Sequence, residues 1–98
     1  MSTQRITRLL WDREILEKVK KKHRLTPKEV EEACFRLERL VLRGPKRRRK
    51  KRYLIYSQTE AGRYLLIVLE PLGKGKARVI TARDLTDRER RFYQKRRG

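Results

Sequence analysis

Residues 63–69, RYLLIVL, are apolar at nearly every position, so a strand there shows apolar side chains on both of its faces. Such a strand has to be covered on both sides, which places it at the centre of a sheet. Its flanks identify its neighbours. Residues 52–58 (RYLIYSQ) read as a strand and 59–62 (TEAG) as a turn, while Pro71, Gly73 and Gly75 mark a second turn before the strand-like run 76–83 (KARVITAR). Three strands joined by short turns predict an antiparallel meander.

The last run continues straight into a helix. Regular alternation over KARVITAR puts Ala77, Val79 and Thr81 on one side and Arg78, Ile80 and Ala82 on the other. Thr86-Asp87-Arg88-Glu89 then forms a capping box, and Glu89, Phe92, Tyr93 and Arg96 fall on one helical face. Strand end and helix together can gather Arg78, Arg83, Glu89 and Tyr93. Guanidinium, carboxylate and phenol in one place suit a phosphodiester better than a dry core.

Earlier in the chain, residues 5–11 read as an opening strand. Asp12 follows as an N-cap, Trp11 closes on Leu16 as a hydrophobic staple, and residues 13–23 form a helix with Ile15, Val19 and His23 along one face. Leu25-Thr26-Pro27-Lys28-Glu29-Val30 carries the clearest local signal: Thr26 caps, Pro27 takes the first helical position, Glu29 closes the box and Leu25 staples to Val30. Val30, Ala33, Cys34, Leu37, Leu40 and Val41 continue as a helical stripe up to Gly44-Pro45, predicting a helix over 27–43. Residues 46–52 are seven consecutive bases, KRRRKKR. The connector 44–52 and the tail 95–98 are expected to be flexible parts of a single domain spanning 1–98. The order strand-helix-helix-strand-strand-strand-helix predicts an α+β fold. A small antiparallel sheet would carry the two early helices on one face, with a groove beside the last helix on the other.

Thirty Lys and Arg against twelve Asp and Glu leave a formal charge of +18, which calls for a polyanion or an acidic partner protein. The single cysteine, Cys34, allows neither an intramolecular disulfide nor a zinc site, and nothing in the sequence points to a cofactor. The chain shows no signal peptide and no apolar run of membrane-spanning length, so a cytoplasmic location is expected.

Three segments, LLWDREILEKVKKKH, TPKEVEEACF and RYLLIVLEPLGKGKARVITARDLTDRERRFY, together span most of residues 9–93 and resemble, in order and spacing, the BrnT family of type II toxins. The resemblance implies a RelE-like fold and a ribonuclease kept inactive by a separate antitoxin chain, with self-association arising through the toxin–antitoxin complex. The basic run and the lack of an acid between helix and meander depart from the family pattern. The activity so implied is metal-independent cleavage of RNA by attack of the ribose 2′-OH on the adjacent phosphate. That reaction needs a proton acceptor, a proton donor for the leaving 5′ oxygen, and cations for the phosphorane.

Each candidate has a plainer alternative. Arg83 and Arg78 either hold phosphate or pair with Asp84 or Glu89. His23 is either the proton carrier or a half-buried helix-end histidine. Glu89 and Tyr93 are catalytic candidates with ready structural roles, as capping acid and packed aromatic. Arg47, Arg48, Arg49, Arg52 and Arg63 are expected to attract RNA, with Trp11 as either stacking platform or staple. Two other functions compete with the nuclease: a non-catalytic RNA- or DNA-binding module, and a structural protein neutralised by an acidic partner.

Overall fold

The structure is a computed structural model that describes residues 6–45 and 50–97. Its elements run β1 (Arg8–Leu10), α1 (Arg13–His23), α2 (Pro27–Cys34), β2 (Leu40–Arg43), β3 (Tyr53–Gln58), β4 (Tyr64–Gly73), β5 (Lys76–Asp84) and α3 (Asp87–Arg97). They form an α+β fold around one five-stranded sheet of order β1-β5-β4-β3-β2, with β4 at its centre as its two-sided apolar pattern predicts. The sheet is mixed and not purely antiparallel. β1 lies parallel to β5, anchored where the Thr7 and Arg8 N–H groups donate to the Gly75 carbonyl at 2.8 and 3.1 Å.

The predicted 27–43 helix is corrected to two turns followed by a strand. α2 stops at Cys34, residues 36–39 turn, and β2 pairs antiparallel with β3. Leu40, Val41 and Leu42 fit both periods, since Leu37, Leu40 and Val41 have helical spacing while Leu40 and Leu42 alternate. Tertiary pairing decides for the strand and leaves Leu37 at 89% exposure. Gly44 therefore ends a strand and not a helix: its N–H donates to the Arg52 carbonyl at 2.8 Å, and a Cβ there would touch the Arg52 and Leu54 side chains.

Helix ends follow the local code closely. Thr26 Oγ1 accepts from Glu29 N–H and Glu29 Oε1 accepts from Thr26 N–H, completing the first capping box. Leu25, buried, stands at the join of the two helices, its N–H donating to the Val19 carbonyl while Arg24 takes a left-handed conformation (φ 52°). Asp12 departs from expectation: its side chain caps nothing and instead lies 3.9 Å from Arg78. α3 runs on to Arg97, through residues read as part of a tail.

Two cores result. Val19, Leu25, Val30, Ala33 and Cys34 pack with Ile55, Leu65, Ile67, Leu69, Ala77, Val79 and Ala82, so α1 and α2 cover one face. On the other, Leu66, Leu85 and Tyr93 bury with Leu40, Leu54, Tyr56 and Tyr64 at their margin. Burial drives the Cys34 thiol up to about 12, which leaves it inert as expected for a core cysteine.

Candidate nucleic-acid interface

The site begins with an irregularity. Leu69 pairs with Val79 but Val68 pairs with Thr81, so Ile80 is the extra residue of a β-bulge. The regular alternation expected from the sequence is broken there. Ala77, Val79 and Ala82 all enter the main core, whereas Arg78, Thr81 and Arg83 stand opposite Glu70, Val68 and Leu66. Those three are alternate residues of β4, so Arg78 and Arg83 share the sheet face opposite α1 and α2. Without the bulge their odd spacing would place them on opposite faces.

Arg83 sits in a row across the sheet with Leu66 and Tyr56, next to the start of α3. Its Nη1 and Nη2 donate to Glu89 Oε1 and Oε2 at 2.8 and 2.9 Å, and Nη1 also reaches the Asp84 carbonyl at 3.0 Å. Glu89 in turn accepts from Thr86 N–H at 2.9 Å, while its own N–H donates to Thr86 Oγ1. The Arg83 hydrogen bonds, reinforced by Thr86, hold the Glu89 carboxyl down to about 2. The capping box thus occupies the Thr86 and Glu89 N–H groups, so neither is open to an anion.

Four residues along β4, about 13 Å away at the usual strand rise, a second cluster surrounds Glu70. Its side chain, 8% exposed, lies 3.8 Å from Arg78 and 3.7 Å from Lys50. Arg52 immediately precedes β3, and its Nε is buried with no hydrogen-bond partner among the described residues. Between the clusters, Leu54, Val68 and Thr81 are half-buried. This face is thus cationic at both ends with an apolar floor.

The other predicted residues are distributed differently. Arg63, expected to meet RNA, spends its guanidinium internally: it donates to both Asp84 oxygens at 2.7 and 3.0 Å and to the carbonyls of His23 and Arg24 at 2.6 and 3.0 Å. It thereby ties the end of α1 to β5, and its hydrogen bonds lower the Asp84 carboxyl. His23 is half-buried at this same end. Burial and then Lys22 push its imidazole below the ordinary value, Asp84 opposes them, and Arg83 adds to the lowering. Tyr93, placed with the catalytic candidates by helical spacing, is fully buried and donates its hydroxyl to the Glu38 carbonyl at 3.0 Å. Trp11 packs against the main core, with its indole N–H buried and unpartnered among the described residues. Arg47, Arg48 and Arg49 lie outside the described residues.

The sequence pattern singles out neither Tyr56 nor Glu70, and takes Lys50 only as part of the basic run 46–52. A Glu inside an otherwise apolar central strand was the available signal for Glu70. Tyr56 needed the sheet register, which alone sets it in the row of Arg83. Among the described residues no three His, Cys, Asp or Glu side chains group as a metal site, and no helix is long and apolar enough to cross a membrane.

The crystal structure of the Brucella abortus ribonuclease toxin BrnT is similar to this one, with a TM-score of 0.59 over 82% of this chain and 97% of that one at 16% identity. It shows the same fold. No curated protein sequence matches the chain. A family model described as "Ribonuclease toxin, BrnT, of type II toxin-antitoxin system" matches residues 11–89, which include both α1–α2 and the whole meander. A type II toxin family implies an antitoxin protein as partner. On that match, the chain belongs to the BrnT family of ribonuclease toxins.

Proposed function

We propose that the protein is a cytoplasmic endoribonuclease that cleaves RNA without a metal ion and is restrained by an antitoxin chain, through which the toxin self-associates. The observation that carries this reading is the bulge at Ile80, which turns Arg78 and Arg83 onto one face of the sheet. A strand of RNA crossing that face would meet Arg83 at one end and Arg78, Arg52 and Lys50 at the other. Arg47, Arg48 and Arg49 would add phosphate contacts of their own.

In this mechanism the 2′ oxygen forms a bond to phosphorus as the bond to the 5′ oxygen breaks. Arg83 neutralises the phosphorane with N–H groups not committed to Glu89. His23, neutral near pH 7 because its proton affinity is lowered, accepts the 2′-OH proton, and a water molecule protonates the leaving 5′ oxygen to give the 5′-hydroxyl. Glu89, held ionised far below neutral pH, orients Arg83 and takes no proton. Incubating purified protein with end-labelled RNA in EDTA tests the proposal. Products ending in 2′,3′-cyclic phosphate and 5′-hydroxyl support it. Retention of RNA without cleavage would instead favour a binding module.

A further inference from the structure

We propose that the open edge of β2 receives an extended, acidic segment of a partner protein as a sixth strand of the sheet. The inference rests on the restraining-partner part of the reading above and needs no cleavage of RNA. In the order β1-β5-β4-β3-β2, β2 closes one end and pairs with β3 alone among the described strands. The Gly44 N–H donates to the carbonyl of Arg52, directly opposite, at 2.8 Å. Antiparallel pairing alternates, so Leu42 opposite Leu54 and Leu40 opposite Tyr56 also turn their backbone groups toward β3. Those of Val41 and Arg43 therefore point outward. Each presents one donor and one acceptor at the spacing a further strand requires.

The surroundings suit such a segment. Phe35, Leu37 and Val41 are 41%, 89% and 36% exposed, so three of the four large exposed apolar side chains among the described residues fall in this short stretch. α2 stops at Cys34 and leaves the β2 margin of its face uncovered, since Val41 is exposed although Ile55 opposite it is buried. On the other face Leu40 and Leu42 are only half-buried. A strand added here would cover apolar surface on both faces of the sheet.

Charge selects the occupant. Arg36 is neutralised by Glu38 at 2.7 Å, but Arg39 and Arg43, which bracket Leu40–Leu42, meet no carboxylate within ion-pair distance among the described residues. Seven bases, residues 46–52, follow closely in the sequence. Two copies joined edge to edge would set these cations against one another in chains that each carry +18, so self-pairing is opposed. RNA answers the charge but has no peptide ladder for the Val41 and Arg43 backbone groups. A segment with Asp or Glu flanking a β-prone apolar centre answers both.

Amide hydrogen exchange, read by NMR on the whole protein, tests this residue by residue. In the free protein the Val41 and Arg43 amides should exchange about tenfold or more faster than those of Leu40 and Leu42. The probe is the peptide EEVTVTVEE, acetylated and amidated, whose palindromic sequence presents one pattern in either strand direction. At saturation it should slow Val41 and Arg43 to near the rates of their neighbours. An equally charged EEGPPPGEE peptide, which cannot form a ladder, and a uridine octamer, 2′-O-methylated against cleavage, should leave both amides fast. Val41→Pro removes an outward donor and keeps the ladder to β3, so it should lose the first peptide while Leu40 and Leu42 stay protected. Failure of that peptide to bind, binding without protection of Val41 and Arg43, equal protection by all three ligands, or full affinity in Val41→Pro overturns the proposal. Protection already present in the free protein and rising with its concentration also overturns it, in favour of a second copy. A protein that adds the strand but does not cut RNA keeps this edge and loses the nuclease. One that cuts RNA while β2 stays unresponsive does the reverse.

Discussion

Arg83 and Glu89 face each other through two parallel hydrogen bonds of 2.8 and 2.9 Å, and the same carboxylate closes the cap of α3 on Thr86. One acid therefore joins the end of β5, the turn and the first turn of the helix. Three hydrogen bonds use both Nη1 hydrogens and one on Nη2, leaving Nε–H and the other Nη2 hydrogen for a ligand. The pair is both a structural tie and a way of fixing a cation's direction.

Stability should follow the titration of Glu89. Its folded value, about 2, lies below the ordinary value of 4.5, so the ionised form is favoured by folding. That contribution is fully present above about pH 4.5 and is lost as pH falls toward 2. Asp84, also lowered by its arginine, adds to the same limb. Thermal melting recorded between pH 6 and 2 should fall across this window. Glu89→Gln, which keeps a capping-box side chain, should start lower and fall less steeply. Parallel curves would mean that the pair contributes nothing beyond the cap.

Arg83→Ala should reduce cleavage per folded molecule about a hundredfold, with Arg83→Lys restoring part of it. It also leaves Glu89, whose side chain is 22% exposed, without its cation, so some loss of melting temperature is expected as well. Arg83→Ala combined with Glu89→Gln separates the effects. The double variant should regain stability but no activity. Full specific activity in the folded single variant sinks the phosphate role and leaves the ion pair as its whole purpose.

The revised end of α2 makes opposite claims about two aliphatic positions on what looked like one stripe. Val30 is fully buried and Leu37 is 89% exposed. Val30→Ala should cost about 1–3 kcal/mol and Leu37→Ala less than about 0.5 kcal/mol, read from urea midpoints at unchanged slope. A comparable loss at Leu37 would restore the longer helix.

These contrasts show what was legible. Both capping boxes, the α1 boundaries and the central place of residues 63–69 could be read directly, because each rests on neighbours in sequence or on a two-sided apolar run. β2 could not, since Leu40, Val41 and Leu42 satisfy two periods and only pairing with β3 decides. Arg78 and Arg83 were expected in one neighbourhood with Glu89 and Tyr93, yet they stand in two separate clusters, at Glu70 and at Glu89. Regular alternation would have set them on opposite sides, and their shared face was not foreseen. It depends on Ile80 bulging between Val79 and Thr81, a property of the β4–β5 register. Arg63 looked like one more surface cation. Its four hydrogen bonds reach residues at 23, 24 and 84, separations that no local pattern encodes.

Glu70 offers the last test, because it separates a structural charge from a ligand-directed one. The carboxylate is nearly buried, yet its cations stand at 3.7 and 3.8 Å, too far for good hydrogen bonds. Such a pair gains little over apolar packing, while losing one partner strands the other. Arg78, whose side chain is 41% exposed, can turn to water when Glu70 is removed, but Glu70 cannot do so when Arg78 is removed. Glu70→Leu should therefore be near neutral, Arg78→Leu should cost about 1–2 kcal/mol, and the double variant should recover most of that. RNA affinity should move the other way. Freeing Arg78 and Lys50 from their counter-charge in Glu70→Leu should tighten binding and steepen its salt dependence, whereas Arg78→Leu should flatten the slope by up to about 0.7 for a single-strand contact. An unchanged salt slope in both variants would mean that RNA stops short of this end of the sheet and that Arg78 serves Glu70 alone.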